Sequence, residues 1–367
     1  MGNGETKAEP PVFAYRILPK IGIAGISVAI GDINESWDGN EVVWDYAYDP
    51  SYIAETHGSG IEWTSSIIWE EREWEGWYYE RGLGIEDVDP QYPGNEIVHG
   101  YWNLTVIGYN RSTGQWEATM VFDYPYSPDG WKECAHHLAI GDFDSAHEGD
   151  EILTVTYMGR LYETYWDNTT WNWITENNGS YEKYAIISDR GHGIFCLVDV
   201  NKTNNVMEIV SRYVMIMWNG TGFEAIDITP VPYPSTDRMG GAMSVGVCDV
   251  WLQHPGDEVL ITGFTLCSSP VSYEDLVMFW KDHGVWYYKD VYLNPTNNWS
   301  PFHYLAIGDF DREHPGVEIA VTGDGNNYEF YTVDTVNENT VVVWFCAMGV
   351  VGVATIWQIM WRRRMQG

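Results

Sequence analysis

Six stretches of the chain share one alternation of large and small apolar positions, and this alternation predicts strands. Large side chains stand at Val28, Leu83, Leu138, Phe195, Val245 and Leu305, and again two residues on at Ile30, Ile85, Ile140, Leu197, Val247 and Ile307. The residue between them is always small: Ala29, Gly84, Ala139, Cys196, Gly246 and Ala306. A period of two is that of an extended strand, and a small residue on one face marks a close approach by a neighbour. A polar loop follows, and then a second apolar start such as Val42-Val43, Ile97-Val98 or Ile152-Leu153. Each unit therefore reads as strand, ten-residue loop, strand and a further pair of strands, such as Arg160–Trp166 and Trp171–Thr175.

Aligned without a gap, the units are GDINESWDGNEVV, EDVDPQYPGNEIV, GDFDSAHEGDEIL, VDVNKTNNVMEIV, CDVWLQHPGDEVL and GDFDREHPGVEIA. Their anchoring aspartates, Asp32, Asp87, Asp142, Asp199, Asp249 and Asp309, are spaced by 55, 55, 57, 50 and 60 residues. Nine residues after each stands a glutamate: Glu41, Glu96, Glu151, Glu208, Glu258 and Glu318. A four-stranded unit of this size matches one propeller blade, and such units bury their faces only by stacking radially. The expected fold is all-β: a six-bladed β-propeller over residues 11–338, after an N-terminal tail of residues 1–10. The last unit has room for three strands only, so Pro11–Leu18 is expected to supply its fourth and close the ring.

Composition agrees with a folded β protein: 15% aromatic, with Trp 20, Tyr 25 and Gly 37. Charge adds a constraint. The formal net charge is −34, and setting aside Arg362, Arg363 and Arg364 leaves 16 basic against 53 acidic residues. Such a surface repels nucleic acid and anionic lipid and attracts divalent cations. The cysteines, Cys134, Cys196, Cys248, Cys267 and Cys346, lack framework spacing and read as free thiols.

Residues 339–361, NTVVVWFCAMGVVGVATIWQIMW, carry no charge and are long enough to cross a bilayer as one C-terminal transmembrane helix. Trp357 and Trp361 suit the interface, and the arginines within the basic tail of residues 362–367 place that end in the cytoplasm. The bulk of the chain is then extracellular, on a single-pass anchor in the cell membrane. Eight N-x-[ST] sequons, at Asn34, Asn103, Asn110, Asn168, Asn178, Asn201, Asn219 and Asn298, agree with a glycosylated surface protein. The start, MGNGETKAEPP, has no apolar segment to direct export, which implies a removed leader or tail-first insertion.

The six windows from Asp to Glu hold 21 of the 53 acidic residues. Crowded carboxylates repel unless a cation neutralises them, and hard oxygens at alternate positions suit Ca²⁺. The expected metal ligands are Asp32, Asn34, Ser36, Asp38, Asn40 and Glu41 in the first loop, and Asp87, Asp89, Asn95 and Glu96 in the second. The third offers Asp142, Asp144, Glu148, Asp150 and Glu151, and the sixth Asp309, Asp311 and Glu318. The fourth (Asp199, Asn201, Glu208) is poor in carboxylates, and the fifth (Asp249, Asp257, Glu258) has Trp251 where the second ligand belongs. The competing reading is that each Asp caps its own loop by accepting backbone N–H groups, with no metal.

GDFDSAHEGDEIL and GDFDREHPGVEIA resemble the FG-GAP or VCBS-type repeats of integrin α-chain propellers, and the resemblance implies structural calcium in such loops. The chain departs from the family at the ninth loop position, where Asn40, Asn95, Asp150, Met207, Asp257 and Val317 stand in place of a constant Asp. The loop EDVDPQYPGNE is also similar to loops of family 11 rhamnogalacturonan lyases.

No nucleophile elbow, HExxH, P-loop or dinucleotide fingerprint is present. His147, His254 and His314 recur at one loop position, which points to loop packing, because an active site would be expected once. Cys134 with His136 and His137 reads as a strand start rather than a transition-metal site. Trp63, Trp69, Trp74 and Trp77 lie in an aromatic and acidic stretch that could stack on sugar faces. The expected function is extracellular recognition or adhesion toward a glycan, a protein or an identical subunit. A surface polysaccharide lyase or hydrolase and a structural coat component are the alternatives.

Overall fold

The structure is a computed structural model. It describes residues 10–333 except 20–25, 35, 47–50, 60, 72–80, 129, 131, 143–146, 148, 157–159, 181–194, 199–207, 212–213, 219–222, 228–240, 252–253, 255–257, 265–273, 283–284, 294–301, 315 and 324–325.

Strand β1 (Val12–Leu18) precedes the first sheet, β2 (Ser27–Gly31), β3 (Glu41–Tyr46), β4 (Ser51–Ser59) and β5 (Glu62–Glu71). The second sheet is β6 (Gly82–Glu86), β7 (Glu96–Gly100), β8 (Asn103–Asn110) and β9 (Gln115–Asp123). The third is β10 (Ala135–Gly141), β11 (Glu151–Thr156), β12 (Arg160–Asp167) and β13 (Asn172–Ser180). There follow β14 (Phe195–Val198), β15 (Glu208–Ser211), β16 (Val214–Trp218) and β17 (Phe223–Asp227), then β18 (Gly241–Cys248), β19 (Glu258–Phe264), β20 (Glu274–Asp282) and β21 (Val285–Leu293). The last is β22 (Phe302–Gly308), β23 (Glu318–Gly323) and β24 (Asn326–Val333). All pairs are antiparallel meanders, and β1 completes the last sheet beside β24, from Val12 opposite Val333 to Leu18 opposite Asn327.

The first strands stand side by side around an axis in chain order, β2, β6, β10, β14, β18 and β22, with β22 returning to β2. The alternation read from the sequence explains this contact. A Cβ added at Gly84 would lie 2.7 Å from Cδ1 of Ile140 and 2.8 Å from Cδ1 of Leu138. One added at Gly246 would lie 2.4 Å from Ile307 and 2.7 Å from Leu305. The small residue of one sheet therefore receives the two large residues of the next. Where the ring closes, Gly308, one residue after Ile307, approaches Ile30, as Gly31 approaches Ile85.

The core lies between neighbouring sheets rather than within any one. Ile53, Leu83, Ile97 and Ile107 join the first two sheets, Leu104, Val106, Leu138 and Ile152 the second and third, and Leu260, Met278, Ile319 and Phe330 the fifth and last. Each such fully buried aliphatic or aromatic side chain contributes about 1.5–3 kcal/mol.

The expected fold is corrected on one point. Five sheets are described through to their side-chain packing and stand as propeller blades; the sheet from Phe195 to Asp227 is described by its backbone pairing. Its strands are only four or five residues long, and VDVNKTNNVMEIV has the weakest acidic pattern of the repeats, so the propeller arrangement described through its packing is five-bladed rather than the expected six-bladed one. No helix among the described residues is long and apolar enough to cross a membrane. Residues 339–361 lie outside the described residues.

Candidate functional site

The acidic loops connect the first and second strands of each blade, and four of them share one internal clamp. The closing glutamate is buried and turns back into its own loop. Oε2 of Glu41 accepts the N–H groups of Ile33 (2.9 Å) and Asn34 (3.2 Å). Glu96 does the same for Val88 and Asp89, Glu258 for Val250 and Trp251, and Glu318 for Phe310 and Asp311. The middle of the clamp explains the loop pattern: the anchoring Asp32, Asp87, Asp249 and Asp309 are exposed, while Ile33, Val88, Val250 and Phe310 after them are buried. Burial pushes Glu41 up to about 7, and Glu96 and Glu318 to about 8, against the pull of the N–H groups. Capping by an acid is thus correct in kind, but the capping group is the glutamate.

A glycine eight residues into the loop makes the return possible. Gly39, Gly94, Gly149 and Gly316 have φ of 127°, 107°, 108° and 136°, a region other residues avoid. This recurrent glycine was visible in the aligned segments and is a structural determinant that the acidic pattern obscured.

The loops differ in how well they suit a cation. In the second, Asp89 is fully buried; Oδ1 accepts the Gln91 N–H at 3.0 Å, and Oδ2 has no hydrogen-bond partner among the described residues. A buried carboxylate oxygen left bare is costly unless a cation reaches it. Asp87, exposed, and Asn95 stand in the same loop. In the first loop Oε1 of Glu41 is similarly bare, but Asn34 Oδ1 is engaged by the N–H and Oγ of Ser36, and Asp38 is exposed. Asn40 instead donates across the blade boundary to the carbonyl of Asp309 at 2.7 Å. In the third loop Asp142 is exposed and Glu151 buried, and Asp144 and Glu148 lie outside the described residues. Burial raises Asp150, and Asp142 and Asp87 raise it further, so acids of adjacent blades converge there. Asp199, Asn201 and Asp257 lie outside the described residues, as does the side chain of Glu208.

The acids of the fifth and sixth loops have other partners. Trp251 is buried at the second ligand position, and Glu258 pairs with His254 Nδ1 at 3.0 Å. In the sixth, Asp311, His314 and Glu329 bring three ligand atoms within 4.8 Å of one another. A cation is already present: the Arg16 guanidinium pairs with both Asp311 and Glu329.

The three loop histidines each bond a buried acid and lie against a ring of their own blade, stacked at His147 and His254 and tilted at His314. His147 meets Glu163 at 3.0 Å and Tyr165, His254 meets Glu258 and Trp251, and His314 meets Asp311 at 2.9 Å and Tyr331. Sequence reasoning missed a buried cluster at the other end of the first blade. Asp45 faces Arg81 at 3.4 Å and His99 at 3.1 Å, and Arg81 also donates to Ser51. Burial alone would raise Asp45, but the Arg81 and His99 charges hold it below the ordinary value. No sequence motif marks this set, because its members come from two blades.

Of the tryptophans, Trp63 lies under the Arg16 guanidinium and edge-on to Phe310, and Trp69 packs against the core between the first two blades. Trp74 and Trp77 lie outside the described residues. Asn110, like Asn34, accepts from its own sequon serine, while Asn103 accepts from Lys132 at 3.1 Å and Asn168 is exposed. The side chain of Asn178 and the residues Asn201, Asn219 and Asn298 lie outside the described residues. Cys134 is a buried free thiol and Cys248 a half-buried one, and the side chain of His136 is not among those described. His137 stacks on Tyr304 across the axis at 4.9 Å.

Openings remain among the described residues. The axial channel has a volume of about 230 Å³ and is lined by apolar first-strand residues such as Val28, Ile85 and Ile307. A larger cleft of about 510 Å³ opens between the first and second blades, beside the two acidic loops.

No family model and no curated protein matches the chain. Among solved structures, AofleA from Arthrobotrys oligospora aligns at 12% identity over 88% of this chain and 90% of its own, with a TM-score of 0.46. A candidate 6-phosphogluconolactonase from Bacteroides uniformis aligns at 10% identity over 81% of this chain and 77% of its own, with a TM-score of 0.42. Similarity at this level carries no argument about activity.

Proposed function

We propose that this β-propeller is a recognition module that presents a stiff ring of loops to a glycan or protein ligand outside the cell. The observation behind this reading is the glutamate clamp: Glu41, Glu96, Glu258 and Glu318 hold their loops shut, so the repeated acids act as framework. Rigid loops on a closed scaffold suit binding, since little ordering entropy is lost on contact. Structural Ca²⁺ belongs to the same reading, with Asp87 and Asp89 as its holders and stiffness of the second loop as its contribution. The uncharged run of residues 339–361 and the sequons support a place at the cell surface.

The test is a glycan-array screen of the full-length chain, run beside a depolymerisation assay on the same polysaccharides. Retention without cleavage is the expected result. Release of oligosaccharide products would instead establish the lyase or hydrolase alternative.

A further inference from the structure

The cleft between the first two blades has the chemistry of a sugar subsite, and we propose that it binds a neutral saccharide ring. The inference rests on the recognition reading and gives it a place and a ligand class.

The cleft is built from both blades. Its apolar wall is Tyr109 on β8 and Trp116 on β9, edge-to-face with ring centroids 5.4 Å apart. Tyr109 is 41% exposed. An exposed ring beside a half-buried indole offers a face for the C–H side of a pyranose. Polar groups stand around it. Asp32 and Glu55 supply carboxylate acceptors, Asn34 and Asn95 amides, and Arg111 a donor. Arg111 is positioned: its Nη2 donates to the carbonyl of Pro93 at 3.3 Å, which ties the guanidinium to the second acidic loop. Glu55 is likewise held, its Oε1 accepting from Ser66 Oγ at 2.7 Å.

The mixture of signs selects the ligand. Two carboxylates repel an anionic sugar, and the guanidinium repels a cationic amine. A ligand with many hydroxyls and no charge can donate to Asp32 and Glu55, accept from Arg111 and lay its apolar face on the rings. The volume suits one or two sugar rings, because ligand clefts typically run to about 300–1,000 Å³.

The test uses the full-length chain made without glycosylation, so that no sugar on Asn34 enters the cleft. Methyl glycosides of neutral hexoses and of N-acetylglucosamine are titrated by saturation-transfer NMR, with sialic acid and choline as charged comparators. At least one neutral glycoside is expected to bind, and Tyr109→Ala and Arg111→Ala each to weaken it tenfold or more. Tyr109→Phe is expected to retain binding. Stronger binding of sialic acid or choline, or neutral binding unchanged in both alanine variants, overturns the cleft assignment. Unchanged binding in the variants would leave the recognition reading standing with its site elsewhere. Cleavage of a polysaccharide with binding still lost in Tyr109→Ala would do the reverse, retaining the subsite and replacing recognition by catalysis.

Discussion

Arg16, on the strand that begins the described chain, forms an ion pair with Asp311 in the last acidic loop. The same guanidinium reaches Glu329, its cross-strand partner, with Nη2 donating to Oε1 at 2.8 Å. Asp311 also accepts from Ser59 of the first blade at 3.2 Å. A position that reads as a metal ligand in the sequence is therefore the point where the two ends of the ring are tied. Two buried carboxylates share one guanidinium, so Arg16→Ala should destabilise the protein by about 3–5 kcal/mol. Arg312, paired with fully exposed Asp38, provides the contrast: Arg312→Ala should leave the melting temperature unchanged. Calorimetry of the two variants checks the difference.

Calcium dependence should be concentrated in the second loop. A chelator should lower the melting temperature of the parent protein, as expected when a ligand binds only the folded state, by an amount corresponding to about 1–3 kcal/mol. In Asp89→Ala the chelator should have little further effect, since the bare Oδ2 is gone. Asp249→Ala, in a loop where Trp251 replaces the second ligand, should keep the parent's response. Differential scanning fluorimetry with and without chelator reads all three.

Stability should fall as pH rises in chelator. Burial holds Glu41 near 7 and Glu96 and Glu318 near 8, all above the ordinary value of 4.5. A carboxyl raised in the fold keeps its proton more readily there than in the unfolded chain. Its contribution is therefore complete below about 4.5 and is lost as pH climbs through 7 to 8. Glu96→Gln keeps an acceptor for the N–H groups of Val88 and Asp89 and removes the charge, so it should flatten the slope. Melting temperatures from pH 5 to 9 decide the sign.

Packing between first strands should be intolerant of added volume. Gly84→Val places side-chain atoms into Leu138 and Ile140 and should cost about 1–3 kcal/mol. Gly94→Ala introduces a Cβ that meets nothing within 4 Å, so any loss there comes from its φ of 107° alone. Urea denaturation of both variants separates crowding from backbone strain.

Much of this architecture is legible in the chain because it is local and repeated. The pairing of Val28 and Ile30 around Ala29 marks the first strand, and the constant Asp-to-Glu interval marks the loop that follows. What each acid does was not legible. Glu96 and Asp89 look alike in sequence, yet one accepts two N–H groups while the other keeps a bare oxygen. The decisive partners are distant: Asp311 is committed by Arg16, almost the whole ring away in sequence, and Asp45 by Arg81 and His99 from the next blade. Tyr109 and Trp116 pair across a hairpin as Trp166 and Trp173 do in the third blade, so the sequence does not mark which pair walls the cleft. The fourth repeat keeps the Asp-to-Glu interval, while its strands are only four or five residues long and its loop is poor in carboxylates.

The closed ring itself is tested most directly by removing residues 1–18 and following hydrogen exchange in β24. With β1 gone, the amides of β24 that faced it, together with the contact of Gly308 with Ile30, should lose protection, and cooperative melting should shift down by many degrees. Unchanged exchange in β24 and an unchanged melting temperature would contradict closure through the first strand.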